Sequence, residues 1–196
     1  MDNLTKLLVV FFGVINPLMT LVTFPSLTRG MNRSTQAATA VLATLVAFGI
    51  LAVFAIAGDD VLRFLDVSLP SFRIAGGLVL GLSAVHLIQH GEPTPPSGEG
   101  AKTPTDVLVP LATPLIAGPA TITAAVAYAH LYNDLETIVA GAIILLLTLA
   151  IMLASGWLTT RIPRSALSVA ARLMGLLLLA LAFDLAADGI KAHFMP

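Results

Sequence analysis

The 196-residue chain has no cysteine, few charged residues and little excess of either sign. Without thiols it can form no disulfide, no thiolate metal site and no cysteine nucleophile. Ten Lys and Arg stand against eleven Asp and Glu, so there is no broad basic surface to draw in nucleic acid. Charged residues make up 11% of the chain, where an average soluble domain has about a quarter. No GxSxG, HExxH, CxxC or phosphate-binding glycine loop occurs, and the reading is accordingly of a non-enzyme with no catalytic residue, metal site or cofactor. The glycines of "RIAGGLVLG" lie in an apolar run without the strand and acidic partner of a nucleotide fold, and suit close helix packing instead.

What the chain does have is hydrophobic residues, 57% of the total, in uninterrupted runs rather than on one face of a 3.6-residue period. A hydrocarbon core about 30 Å thick takes about 20 helical residues to cross. The runs predict an all-α integral membrane protein with six spans: Leu4 to Leu27, Ala37 to Ala57, Phe72 to His90, Asp106 to Leu131, Thr137 to Leu158 and Ser165 to Ile190. The first run follows Lys6 but outlasts a signal-peptide core and lacks a small-residue cleavage site, so it is taken as a span. A polar linker, residues 91–105, separates a first unit, 1–90, from a second, 106–196. Arg29, Arg33, Lys102, Arg161 and Arg164 share one side, while Asp59, Asp60, Asp66, Asp134, Glu136 and Asp188 crowd the other with Lys6, Arg63 and Lys191. Lys and Arg are held on the cytoplasmic side during insertion, which predicts periplasmic termini in an inner membrane.

The two units resemble each other. "FRIAGGLVLGLSA" and "ARLMGLLLLALAF" align Arg73 with Arg172 and Gly76 with Gly175, 99 positions apart, while "NPLM" and "TPLI" align Asn16 with Thr113, 97 apart. Three spans per copy make such a repeat an inverted one. Pro17, Pro25, Pro114 and Pro119 fall inside spans, where each removes a backbone donor and clashes one turn back. In lipid such breaks are tolerated only where buried in protein or lining a wet cavity. Breaks in spans one and four of an inverted repeat point to a binding site near the midplane, where half-helix N-termini suit an anion. The candidate site is Asn16, Pro17, Thr20, Thr23, Thr113, Pro114, Ala117, Gly118, Pro119 and Thr121, with Thr123 beside it. For each threonine taken alone, packing with a hydroxyl bond to the preceding turn is the competing role. Two ionisable residues inside spans, Asp184 and His86, are the proton-coupling candidates, against the alternative that both are interfacial. Arg73 and Arg172 read as interface anchors, as do Trp157, Tyr128 and Tyr132.

"FFGVINPLMTLVTFPSLTRGMNR", "LPSFRIAGGLVLGLSAVHLI", "VPLATPLIAGPATITAAV" and "ARLMGLLLLALAFDLAADGIKAHF" together resemble the MarC family of bacterial and archaeal membrane proteins, also called the neutral amino acid transporter family. The resemblance covers nearly the whole chain and implies six spans related to the LysE-type exporters. It implies a secondary transporter of small neutral amino acids such as glycine and alanine, working by alternating access as one half rocks against the other, with a proton or sodium ion as coupling partner. The alternatives are an exporter of other small solutes or drugs, and a non-transporting protein that supports a partner. A homodimer is compatible with related architectures. The family's NP falls on Asn16 and Pro17, and its P…AGP on Pro114, Ala117, Gly118 and Pro119. Where the family commonly has an acidic residue late in the third span and an amide in the sixth, this chain has His86 and Asp184. A compensating exchange would make those two neighbours.

Overall fold

The computed structural model describes residues 3–90, 111–161 and 164–194, and among these every secondary-structure element is a helix. In chain order the elements are α1 (Asn3–Ile15), α2 (Pro17–Leu27), α3 (Arg33–Phe64), α4 (Leu69–His90), a π turn (Leu111–Ile116), α5 (Pro119–Leu131), α6 (Asp134–Arg161) and α7 (Arg164–Phe194). Among the described residues five stretches are long and apolar enough to cross a bilayer: Asn3–Leu21, Arg33–Phe64, Leu69–His90, Asp134–Leu158 and Ser168–Phe194. The expected fourth span is described only from Leu111 onward, as the π turn and the shorter α5. α3 starts earlier than its apolar run because Asn32 caps it, its Oδ1 accepting from the Thr35 amide at 2.8 Å. It then continues past Ala57 to Phe64, since the backbone ladder is indifferent to the polarity of Asp59, Asp60 and Arg63.

The packing is inside-out relative to a soluble bundle. Leu45, Val53, Ile56, Leu78, Leu82, Leu146, Leu176 and Leu177 face outward, as hydrocarbon permits. Where α3 meets α5 the interior carries small residues, Ala40, Ala43 and Ala47 on α3 and Ala124, Ala125, Ala127 and Ala129 on α5, beside larger ones such as Leu7 and Phe11, because close backbone approach and dispersion drive association in lipid. Buried hydroxyls turn back on their own helices, Thr44 to the Ala40 carbonyl and Thr148 to the Ile144 carbonyl. Two buried clusters result. The larger joins α1, α3, the π turn, α5 and α6, with Phe24 of α2. The smaller joins Met19 of α2 to Leu80, Ala84 and Leu87 of α4 and Leu178 and Ala182 of α7.

α4 and α7 make the most extensive helix pair, and their seam repeats at spacings of four and three residues. A Cβ on Gly77 would meet the Ala182 carbonyl and Ala186; one on Gly175 would meet the Ala84 carbonyl and Ile88. These contacts are reciprocal, for Gly77 and Gly175, Ala84 and Ala182, and Ile88 and Ala186 each stand 98 positions apart. That spacing lies between the two read from sequence, and it pairs His86 with Asp184. Farther along, Gly189 abuts the Pro70 carbonyl and Ile74. α3 and α5 finish, and α4 and α6 begin, at the end of the bundle where His130 Nδ1 and Asp59 Oδ2 stand 2.8 Å apart. It is called the acidic end below, and the end holding Arg29 and Arg33 the basic end.

Gly175→Ala should lower the thermal stability of the purified protein by about 1–3 kcal/mol through overpacking of the seam, whereas Gly156→Ala, with open space at its Cβ, should leave it unchanged. Melting temperatures in one detergent compare the two directly.

Candidate functional site at two helix breaks

α1 stops at Ile15 because Asn16 takes a left-handed conformation, φ 51° and ψ 68°, which asparagine tolerates better than other side-chain-bearing residues. The Asn16 amide still closes α1 on the Phe12 carbonyl at 3.0 Å, and its carbonyl already accepts from the Met19 amide at 2.9 Å. Pro17 then opens α2 at a position that needs no N–H donor. The expected obstruction at Pro25 does not interrupt α2, which ends two residues later.

The second break is built differently. Thr113 and Pro114, the counterparts of Asn16 and Pro17, lie inside the π turn and not at a helix boundary. Around Pro114, which has no N–H to extend an α-helical ladder, the backbone widens, and the Ala117 amide reaches the Ala112 carbonyl five residues back at 2.8 Å. The chain breaks five positions beyond Thr113, at Gly118, and Pro119 opens α5. The Gly118 carbonyl accepts from the Ile122 amide at 3.0 Å. The two breaks are thus not at equivalent sequence positions, because the copies spend their prolines on different backbone solutions.

The breaks belong to one interior, since Ile15 before the first and Ile116 and Ala117 before the second lie in the same buried cluster. Asn16 is 6% exposed, and its Oδ1 is buried without a hydrogen-bond partner. Thr23, two turns along α2, is in the same condition at its Oγ1. An unmet polar atom in an apolar core costs about 1–3 kcal/mol, so both are placed to take a ligand group. Thr20 and Thr121 are buried but already committed, donating to the Pro17 carbonyl at 2.7 Å and the Ile116 carbonyl at 2.9 Å. Thr123 is buried and packs its side chain on Gly76. The side chains of Thr113, Pro114 and Pro119 lie outside the described residues.

His86 and Asp184 are not neighbours. With Gly175 opposite Ala84 and Ile88, His86 lies level with Gly175, whereas Asp184 lies level with Gly77, between Ala182 and Ala186. Nine residues of α4 separate those levels, roughly 13 Å at 1.5 Å per residue. His86 is half-buried and stacks on His90 with ring centroids 4.2 Å apart; Asp184 is exposed on α7. Among the described residues no three His, Cys, Asp or Glu side chains cluster as a metal site would require.

The sequence reading took Arg73 for an interface anchor and so missed it. Its side chain is half-buried with Nε enclosed and without an acceptor, while Arg172, its sequence counterpart, is exposed. Thr137, fully buried at the start of α6 with an unpaired Oγ1, was also missed. Nothing in either residue's local sequence separates it from an ordinary helix-start residue.

Apolar helices of spanning length, a lipid-compatible exterior and buried backbone breaks define a multi-pass integral membrane protein. The pattern described as MarC family integral membrane protein matches residues 1–194, and the chain belongs to that family. It is similar to a UPF0056 membrane protein of Aquifex aeolicus, 31% identical, over 91% of this chain and 88% of the relative. It is 29% identical to UPF0056 membrane protein YhcE of Escherichia coli K12, over 96% of this chain and 92% of the relative. A similar match, 29% identical over 94% of each chain, is a UPF0056 membrane protein of Methanocaldococcus jannaschii. No solved structure matches the chain.

Two predictions follow from this geometry. Asn16→Gly should keep the fold, since glycine occupies the left-handed region freely, whereas Asn16→Val should lose about 1–2 kcal/mol of stability, read as melting temperature. The natural absence of cysteine makes sidedness measurable: an impermeant maleimide should label Lys191→Cys in spheroplasts, and Ser34→Cys only after permeabilisation. The opposite pattern would place the acidic end in the cytoplasm.

Proposed function

We propose that this protein is a secondary transporter of small neutral amino acids, glycine and alanine being the substrates that small interior residues favour, and that substrate binds at the two breaks. The observation that carries the reading is the pair of buried, unpaired oxygens, Asn16 Oδ1 and Thr23 Oγ1, beside half-helices that start inside the protein core. Half-helix N-termini present positive dipole ends to a substrate carboxylate. Asn16 Oδ1 and Thr23 Oγ1 are acceptors for its ammonium group. Membership of the MarC family is compatible with this role and leaves the substrate open.

The reciprocal α4–α7 contacts, 98 positions apart, support two inverted three-helix repeats, and with them alternating access in the inner membrane. Asp184, a carboxylate on an apolar helix, is the group assigned to proton coupling, because an ionisable side chain at membrane depth is retained for function.

Proteoliposomes should accumulate labelled glycine and alanine when a pH gradient is imposed. Asn16→Gly, which keeps the backbone and removes Oδ1, should weaken apparent affinity about tenfold, the worth of one hydrogen bond to a charged group. Asp184→Asn should abolish gradient-driven accumulation. Folded wild type that neither accumulates nor exchanges either amino acid would end this reading.

A further inference from the structure

Arg73 poses a problem that the break site does not solve. It lies four residues into α4, close enough to the acidic end for a long side chain to reach water. Instead it is half-buried, its Nε enclosed and without an acceptor. Among the described residues the His130–Asp59 contact is the one ion pair, so Arg73 has no carboxylate partner there. A guanidinium is always charged and presents its donors in a planar fork. An enclosed guanidinium N–H left unmet is costly unless a ligand completes it.

The surroundings indicate what that ligand carries. The first turns of α4 are clamped between two helices, with Gly76 against the Thr123 side chain of α5 and with Pro70 and Ile74 against Gly189 of α7. In that antiparallel register Asp188 lies level with Arg73. Tyr128, half-buried on α5, is within electrostatic reach of Arg73, Asp188 and Asp184 together, and stacks on Tyr132 with ring centroids 6.1 Å apart. Asp184 and Asp188 are exposed, one turn apart on α7, and neither forms an ion pair with a described residue. One cation and two carboxylates therefore lie within electrostatic reach of one phenol, and none of the three charges has an ion-pair partner among the described residues.

We infer that Arg73, Tyr128, Asp184 and Asp188 form a docking site at the acidic end of the bundle for a small zwitterion, Arg73 taking its carboxylate and Asp188 its ammonium. The site is distinct from the helix breaks: Tyr128 is nine residues along α5 from Pro119, roughly 13 Å at 1.5 Å per residue. Arg73 binds a carboxylate through two parallel N–H bonds, Tyr128 bridges the two charges, and Asp184, one turn deeper than Asp188, receives the ammonium group next. A pure anion would satisfy only the guanidinium and a pure cation only the aspartates, so the site favours molecules that bear both charges. This inference rests on the amino acid reading above and adds where substrate is first captured.

The test uses the full-length protein in proteoliposomes of defined orientation, with labelled glycine offered separately to each face and with acetate and methylamine as competitors. Arg73→Gln should raise the KM for glycine offered at the acidic end by about tenfold or more, the loss of a charge-assisted hydrogen bond, with Vmax within twofold. KM at the basic end should not change. Arg73→Lys, which keeps the charge and loses the fork, should fall between, and neither acetate nor methylamine should compete as glycine does. If wild type transports glycine and Arg73→Gln leaves the acidic-end KM unchanged, or shifts it equally at both faces, the docking site is wrong and the transport reading stands. If folded wild type neither binds nor transports glycine, both fall.

Discussion

Every backbone N–H and C=O that lies within the bilayer must find its partner within the protein, because hydrocarbon offers none. The rest of the structure follows from that constraint. It makes the spanning segments helical, and it forces both interruptions of the helices into the interior. At Asn16 the solution is a single left-handed residue whose own amide and carbonyl remain bonded. At Thr113 to Gly118 it is a wider turn followed by an extended residue. Each leaves a helix beginning inside the core.

The same constraint explains why the interior is made of small side chains. Little hydrophobic force draws helices together when lipid is as apolar as leucine, and association depends on close contact. Glycines at 77, 175 and 189 let α4 and α7 approach to backbone contact, and alanines do similar work where α3 meets α5 and α6. Asn16, Thr23, Arg73, Glu136 and Thr137 are the exceptions, polar groups enclosed without partners. In a protein that must otherwise satisfy every polar atom, such exceptions mark where something else is bound or something moves.

Much of this was legible in the sequence. Apolar run lengths located the helices, and the prolines at 17 and 119 marked the starts of both half-helices. Internal similarity aligned Gly175 with Gly76, one position from Gly77, whose contacts match those of Gly175. Less legible was the displacement of the second break, since Thr113–Pro114 reads like Asn16–Pro17 and only the backbone reveals that it has become a π turn. His86 and Asp184 occupy matching positions in the two copies, which suggested proximity. In an antiparallel pair, matching positions move apart as they depart from the crossing point, so the same correspondence separates them. The enclosure of Arg73 depends on two neighbouring helices, and no local pattern reports that.

The division of the core into two clusters has a mechanical meaning. The third helices of the two sequence halves, α4 and α7, are fastened to each other by their glycine seam, while the first and second helices of both halves interlock around α3 and α6. The stiff bodies are therefore a helix pair and a larger bundle, each drawing on both copies. Sliding is cheapest along the surface between them, where α2, with Phe24 in one cluster and Met19 in the other, serves as the strap. The boundary along which this molecule would yield cuts across the division between its two sequence halves.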